Sequence, residues 1–423
     1  MMPINYPQAK KTILDNGLKI ITETITNLRA ITIGILVGAG AATETKEEAG
    51  ISHFIEHMAF KGTKKRNPFE IATTLDEVAG KINAFTGKEY TCYYVVILDT
   101  HHDIAVDVLT DIFLNSNFAP GDIELEKGVV LEEVKMYEDT PDENIHDVFT
   151  SAVLHGHPVG NPILGHEETI KNFSRKSILN YRDRLYTPDN IIISIAGDVA
   201  HKKIVSELTP LFNKLSGKIK KRTQQRAAAP AKIEIIKKTT EQAHLCLGSR
   251  GPSMNDSNRY PMVILDNVLG GNMSSRLFQE VREKRGLAYS VFSTLSPYTD
   301  TGVFYTYAGC AKESAKDIIN IILAEMASFK KEGVSKKELA RSKEYIKGTL
   351  VLGLESTSSR MNWSARSEFF HDHVVTIDEI FGEIDKVTND DIIEVANLYL
   401  KEKNLSLTMI GDIEKSPVSK LSC

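Results

Sequence analysis

The sequence predicts an α+β fold built from two homologous domains, each a mostly antiparallel sheet with helices packed on one face. Three observations lead there. The run Asn190-Ile-Ile-Ile-Ser-Ile-Ala-Gly197-Asp198-Val199 recurs as Asn404-Leu-Ser-Leu-Thr-Met-Ile-Gly411-Asp412-Ile413, at an offset of 214 residues. Near the start of each half a strand-like apolar run ends in glycine, at residues 31–38 and 243–248, again about 210 residues apart, and a helical pattern follows each. Between these ends each half carries a second β-rich run, at 93–98 and 303–307, and amphipathic helical patterns such as 105–114 and 315–329. Agreement in both order and offset points to duplication rather than coincidence.

Length agrees with this division: 423 residues at roughly 150 per domain give two to three domains and ample chain for a buried core. The boundary falls where composition shifts. Residues 216–232, with Lys218, Lys220, Lys221 and Arg222 running into Gln224-Gln225-Arg226-Ala227-Ala228-Ala229-Pro230, hold almost no core-forming side chains. No aromatics interleave these charges, so the segment reads as a solvated linker and not a nucleic-acid groove. The expected domains are therefore residues 1–215 and 233–423.

Apolar residues at 42% and charged residues at 25% describe an ordinary globular protein. The 51 Lys and Arg against 56 Asp and Glu leave a net charge of −5, without the basic excess that nucleic-acid binders carry. The four cysteines, Cys92, Cys246, Cys310 and Cys423, form no Cys-x-x-Cys pair, which argues against a disulfide framework or thiolate zinc cluster and suits a reducing compartment. Residues 1–7 lack a basic stretch leading into an apolar one, and no run of about 18 apolar residues occurs. The expectation is a cytoplasmic protein without a membrane or nucleic-acid partner, a trimmed presequence being the one alternative.

The sharpest local feature is His53-Phe54-Ile55-Glu56-His57. On a helix, residues four apart share a face, so both imidazoles can meet one zinc ion while Glu56 sits beside them. A catalytic zinc site also requires a third protein ligand, an open position for water and a carboxylate base, and Glu56 is placed for the last role. With 12 His in 423 positions, an i,i+4 pair is expected by chance in about a third of such chains; requiring Glu before the second His reduces this to a few hundredths. The motif therefore needs its third ligand. Residues 122–147 are rich in carboxylates, and Glu126 and Glu133, seven apart, share one helical face from which Glu132 points away. Taken alone, without the His motif, such a run reads as a solvated face.

These residues carry a resemblance. His53-x-x-Glu56-His57 is the inverted zincin motif. With Glu133 lying 76 residues beyond His57, it resembles the zinc site of the pitrilysin family, especially the mitochondrial processing peptidase branch. The flanks His57-Met58-Ala59-Phe60-Lys61-Gly62-Thr63, Val129-Val130-Leu131-Glu132-Glu133 and Gly156-His157-Pro158-x-Gly160-x-Pro162-Ile163-Leu164-Gly165 are similar to that family too, so the likeness covers nearly the whole chain.

The resemblance implies a zinc endopeptidase binding one Zn2+ per chain through His53, His57 and Glu133, with Glu56 as general base and Glu126 orienting a ligand from behind. It implies that Asn83 and Ala84 belong to an edge strand onto which an extended peptide substrate adds. In Arg282-Glu283-Lys284-Arg285-Gly286-Leu287-Ala288-Tyr289 it implies that Arg282 and Tyr289 hold substrate and stabilise the oxyanion. Glu143 and Asp147 match positions that present acidic groups to a substrate arginine, favouring basic peptides such as presequences. Family members enclose a chamber with four such domains, which implies a homodimer or a heterodimer with a related chain. Two departures, Gly40-Ala41-Ala42-Thr43-Glu44 where relatives commonly carry Gly-Ser-Arg, and Ile55 where they carry Leu, touch no expected ligand. Residues 262–271, the repeat-equivalent stretch of the second half, contain no His, so one metal site per chain is expected. The rival readings are a non-catalytic structural subunit, like the core proteins of the respiratory cytochrome complex, and a peptide-binding chamber without turnover.

Overall fold

A computed structural model describes residues 8–220 and 230–423; residues 1–7 and the 221–229 portion of the expected linker lie outside the described residues. The chain forms two compact units. Of the described residues, the first comprises 8–134, 161–220 and 352–375, and the second 135–160, 230–351 and 376–423, so neither is one continuous stretch of chain.

The sheet of the first unit contains β1 (Lys10–Ile13), β2 (Lys19–Thr24), β3 (Ala30–Val37), β4 (Lys81–Thr86), β5 (Thr91–Leu98) and β6 (Ile191–Gly197), in the order β1-β2-β6-β3-β5-β4. Only the β2–β6 pairing is parallel. The second unit contains β7 (Ile233–Lys237), β8 (Ala243–Gly251), β9 (Ala288–Pro297), β10 (Gly302–Cys310) and β11 (Ser406–Gly411), in the order β7-β11-β8-β10-β9, with β7–β11 parallel. Strand for strand the second order repeats the first without β1, which is the signature of a duplication: β6 matches β11, β3 matches β8, β5 matches β10 and edge strand β4 matches edge strand β9.

The helices in the first half of the chain are α1 (Ile51–Ala59), α2 (Pro68–Asp76), α3 (His102–Asn115), α4 (Pro120–Glu138), α5 (Pro141–Val153), α6 (Glu167–Asn172), α7 (Arg175–Leu185) and α8 (His201–Phe212). Those in the second half are α9 (Arg259–Leu269), α10 (Ala315–Lys331), α11 (Lys336–Gly353), α12 (Thr357–His371), α13 (Ile377–Lys386) and α14 (Asn389–Tyr399). None of the described helices is long and apolar enough to cross a membrane.

The alternation of β3 explains how its sheet is sandwiched. Ile31, Ile33, Ile35 and Val37 point into the main core, where residues of α1, α3, α7 and α8 pack. The intervening residues face α12 instead. Thr32 meets Thr357 with the two hydroxyl oxygens 2.8 Å apart, Gly34 faces Met361, and Leu36 clusters with Ala365. Two strand residues advance about 6.6 Å and one four-residue helical step about 6 Å, so the i,i+2 row of β3 and the i,i+4 row of α12 stay in register. Among the described residues, each sheet thus carries several helices on one face and, on the other, a helix contributed by the opposite half of the chain. In the second unit α5 takes that place, with Phe149 5.0 Å from the Tyr305 ring.

Ion pairs fasten α12 to the first sheet. The carboxylate of Glu368 is fully buried and lies 3.0 Å from Lys11 Nζ and 2.8 Å from Lys19 Nζ, while Arg360 pairs with the buried Glu23. Buried charges persist only when paired in this way.

Candidate metal centre

Helix α1 buries Ile51, Phe54, Ile55 and Met58 at helical spacing, which leaves His53, Glu56 and His57 to share its remaining side. Its start is held tightly. Gly50, with φ +91°, packs against the Leu164 carbonyl and Gly165, where a side chain would clash. The buried carboxylate of Glu44 accepts the Gly50 N–H at 2.8 Å and the Ser52 N–H at 2.9 Å, satisfying donors that the first helical turn leaves free. Burial pushes the Glu44 carboxyl up to about 7, against the pull of those hydrogen bonds.

Helix α4 supplies both carboxylates. Donor atoms of His53, His57 and Glu133 all lie within 4.8 Å of one another. Glu133 Oε1 is 3.7 Å from His53 Nε2, and its Oε2 is 3.5 Å from His57 Nε2. Two turns earlier, Glu126 reaches the opposite side of the His57 ring, with Oε1 2.9 Å from Nδ1, and its Oε2 is 2.6 Å from Lys61 Nζ. A neutral imidazole that donates from Nδ1 to the Glu126 carboxylate would turn its Nε2 lone pair toward Glu133. The Nδ1 of His53 is buried and has no hydrogen-bond partner among the described residues.

These donors fit zinc. Bonds of about 2.1 Å in a tetrahedron require ligand atoms about 3.4 Å apart, close to both measured separations. Burial, reinforced by neighbouring His57, lowers the His53 pKa to about 3, so its imidazole is neutral as a ligand must be. Glu133 remains partly open to solvent, with 34% of its side chain exposed, which leaves an approach to the three donors.

Glu56 stands beside them, half-buried, and accepts the Thr86 hydroxyl at 2.5 Å. Burial raises its pKa, the Thr86 hydrogen bond and His57 lower it, and Glu133 adds to the rise. Thr86 closes edge strand β4, which also carries Asn83 and Ala84; there Asn83 Oδ1 accepts the Ala84 N–H at 2.8 Å.

The remaining sequence candidates belong to the second unit. Arg282 lies in a π-helical turn, Phe278–Glu283, and Tyr289 near the start of β9. The guanidinium carbon sits 4.7 Å from the Tyr289 ring centroid and 4.8 Å from that of Phe278, so the pair is brought together. Tyr289 is 79% exposed. Glu143 and Asp147 lie one turn apart on α5; the Tyr137 hydroxyl donates to the Glu143 carbonyl at 3.1 Å and to Asp147 Oδ2 at 3.3 Å. Sequence reading missed Glu44, Lys61 and Thr86 as contributors. Lys61 follows His57 at i+4 and Thr86 sits two residues beyond Ala84, but only the fold shows what they touch.

The fold and site together define a duplicated two-sheet α+β protein whose first unit brings together His53, His57 and Glu133 beside Glu56. Residues 19–167 match the model of the family described as insulinase, peptidase family M16, and residues 172–346 match that of the peptidase M16 inactive domain. The chain belongs to the M16, or pitrilysin, family. It is 41% identical over 399 residues to the uncharacterized zinc protease YmxG of Bacillus subtilis, covering 94% of this chain and 97% of that one. It is 38% identical to the uncharacterized zinc protease SCO5738 of Streptomyces coelicolor, covering 97% and 91%. Among solved structures, a protease from Helicobacter pylori superposes with a TM-score of 0.88 at 22% identity, covering 96% of this chain and all of that one. The peptidase M16 inactive domain from Pseudomonas fluorescens superposes with a TM-score of 0.89 at 18% identity, covering 97% of this chain and 100% of that one.

Proposed function

We propose that the protein is a zinc-dependent endopeptidase acting on extended or unfolded peptides. The observation that carries this reading is the convergence of His53, His57 and Glu133 donors beside Glu56. Zinc held by those three residues would supply Lewis acidity, polarising a scissile carbonyl and acidifying water. Glu56 is the group that takes the proton from the attacking water and returns it to the leaving amine, since it is half-buried, aimed by Thr86 and next to the cluster. Glu126 fixes the His57 tautomer. The open outer edge of β4 offers main-chain donors and acceptors to a peptide that adds as a further strand.

Finer features extend the reading. Arg282 and Tyr289 would bind substrate and the developing oxyanion, and Glu143 with Asp147 would favour arginine near the cut. One zinc per chain, an assembly of two such chains and a cytoplasmic location complete it. A non-catalytic structural subunit is the second reading; the intact donor set weighs against it.

The test is incubation of the purified protein with a defined peptide mixture, with and without chelator, the cleavage sites being read by mass spectrometry. Glu56→Gln should retain zinc and lose cleavage. Cleavage surviving in Glu56→Gln, or wild-type protein free of metal after zinc loading, would reject the reading.

A further inference from the structure

The geometry points to Thr86, backed by Thr91, as the positioning residue that aims the Glu56 carboxylate, an inference that rests on the peptidase reading above. Glu56 is a long side chain with several rotamers available, and a general base must be held within about 0.5 Å of its working geometry. Helix α1 alone fixes only its Cα. The second point of attachment comes from the sheet: the Thr86 hydroxyl donates to Glu56 Oε2 at 2.5 Å.

Thr86 is itself held. It is the last residue of β4 and pairs in register with Thr91 on β5. The two hydroxyl oxygens lie 3.2 Å apart, and the fully buried Thr91 donates to the Ala39 carbonyl at 2.9 Å. Each hydroxyl has one hydrogen: Thr91 donates to Ala39 and Thr86 to Glu56, so the 3.2 Å approach of the two oxygens packs Thr86 against the buried Thr91 without a hydrogen of its own. Valine at position 86 keeps the shape but offers the Glu56 carboxylate no donor.

The outer edge of the same strand pairs with no other described strand and exposes Asn83, so a peptide that paired with β4 would lie along the element that aims the base. Substrate docking and base orientation would then share one rigid support.

The experiment compares wild type, Thr86→Val, Thr86→Ser and Thr91→Val for kcat, KM and zinc affinity, the last by competition with a chromophoric chelator. Thr86→Val keeps the β-branched shape of a strand residue and should fold. Its kcat should fall about tenfold, with KM and zinc affinity within about twofold of wild type. Thr86→Ser should recover to within about threefold, and Thr91→Val should fall between. A Thr86→Val enzyme with wild-type kcat, a loss matched by lost zinc, or failure of serine to rescue would overturn the assignment. Absence of cleavage by wild type would sink the peptidase reading instead. In that event zinc-loaded crystal structures decide the positioning claim: Glu56 should occupy one orientation in wild type and several in Thr86→Val, and an unchanged single orientation in the variant refutes it.

Discussion

His57 Nδ1 and Glu126 Oε1 lie 2.9 Å apart, and Lys61 Nζ holds the other oxygen of that buried carboxylate at 2.6 Å. This chain fixes the His57 tautomer and ring angle from behind, leaving Nε2 directed at Glu133. Glu126→Gln keeps the shape but loses the charge that Lys61 complements, and its amide can turn a donor toward a donor. Zinc affinity should drop by about ten- to a hundredfold with secondary structure retained. Competition with a chelator of known affinity measures it, and an unchanged dissociation constant would show that Glu126 does not act through His57.

How much of this was legible beforehand follows from where each interaction lies in the chain. The His53, Glu56 and His57 arrangement is local to one helix and is written in its periodicity; the seven-residue spacing of Glu126 and Glu133 puts them on one face of another, but their roles came from the family resemblance and not from the spacing. The repeated strand order was likewise foreshadowed by the twin runs at 190–199 and 404–413. Lys61, Thr86, Thr91 and Glu44 were not legible as contributors. Thr86 contacts a residue 30 positions away, across a sheet, and nothing in its neighbourhood distinguishes it from any strand threonine. The exchange of α5 and α12 between the two halves of the chain was also invisible, because the row Thr357, Met361, Ala365 and Phe369 reads only as an amphipathic face, without naming the sheet it covers.

Glu44 should make stability depend on pH near the start of α1. Its folded value of about 7 stands above the unfolded 4.5, so between those limits the folded state holds a proton that the unfolded state has released. Stability from this group is therefore fully present below about 4.5, declines as pH rises to about 7 and is level above, a loss of about 3 kcal/mol at most. Chemical denaturation of wild type and Glu44→Gln from pH 4.5 to 8 should show the wild-type curve falling relative to the variant. Parallel curves would mean that Glu44 does not titrate in this window.

Gly34 and Met361 test the contact between β3 and α12. A Cβ on Gly34 would come 2.3 Å from Met361 Sδ, and the methionine is 2% exposed, so it has little room to move. Gly34→Ala should cost about 1–3 kcal/mol by overpacking, and Met361→Ala about 2–5 kcal/mol through the cavity it leaves. In the double variant the new methyl occupies part of that cavity, so it should be more stable than Met361→Ala alone, with a coupling of at least about 1 kcal/mol. Additive losses in urea unfolding would show that the two residues do not share space.

Tyr289 presents an exposed aromatic ring whose one side is stacked by Arg282 at 4.7 Å. An aromatic so exposed contributes little to a core, and the guanidinium fixes the ring while leaving the hydroxyl free to donate. If that hydroxyl serves the developing oxyanion, Tyr289→Phe keeps the stacked ring and removes only the donor. kcat should then fall by about a hundredfold, the usual cost of one oxyanion donor, with zinc affinity and melting temperature unchanged. Arg282→Ala should lower kcat less, because it releases the ring without deleting the donor. Steady-state kinetics on one peptide distinguishes the two, and a Tyr289→Phe enzyme as fast as wild type would remove Tyr289 from the chemistry and leave it a surface partner of Arg282.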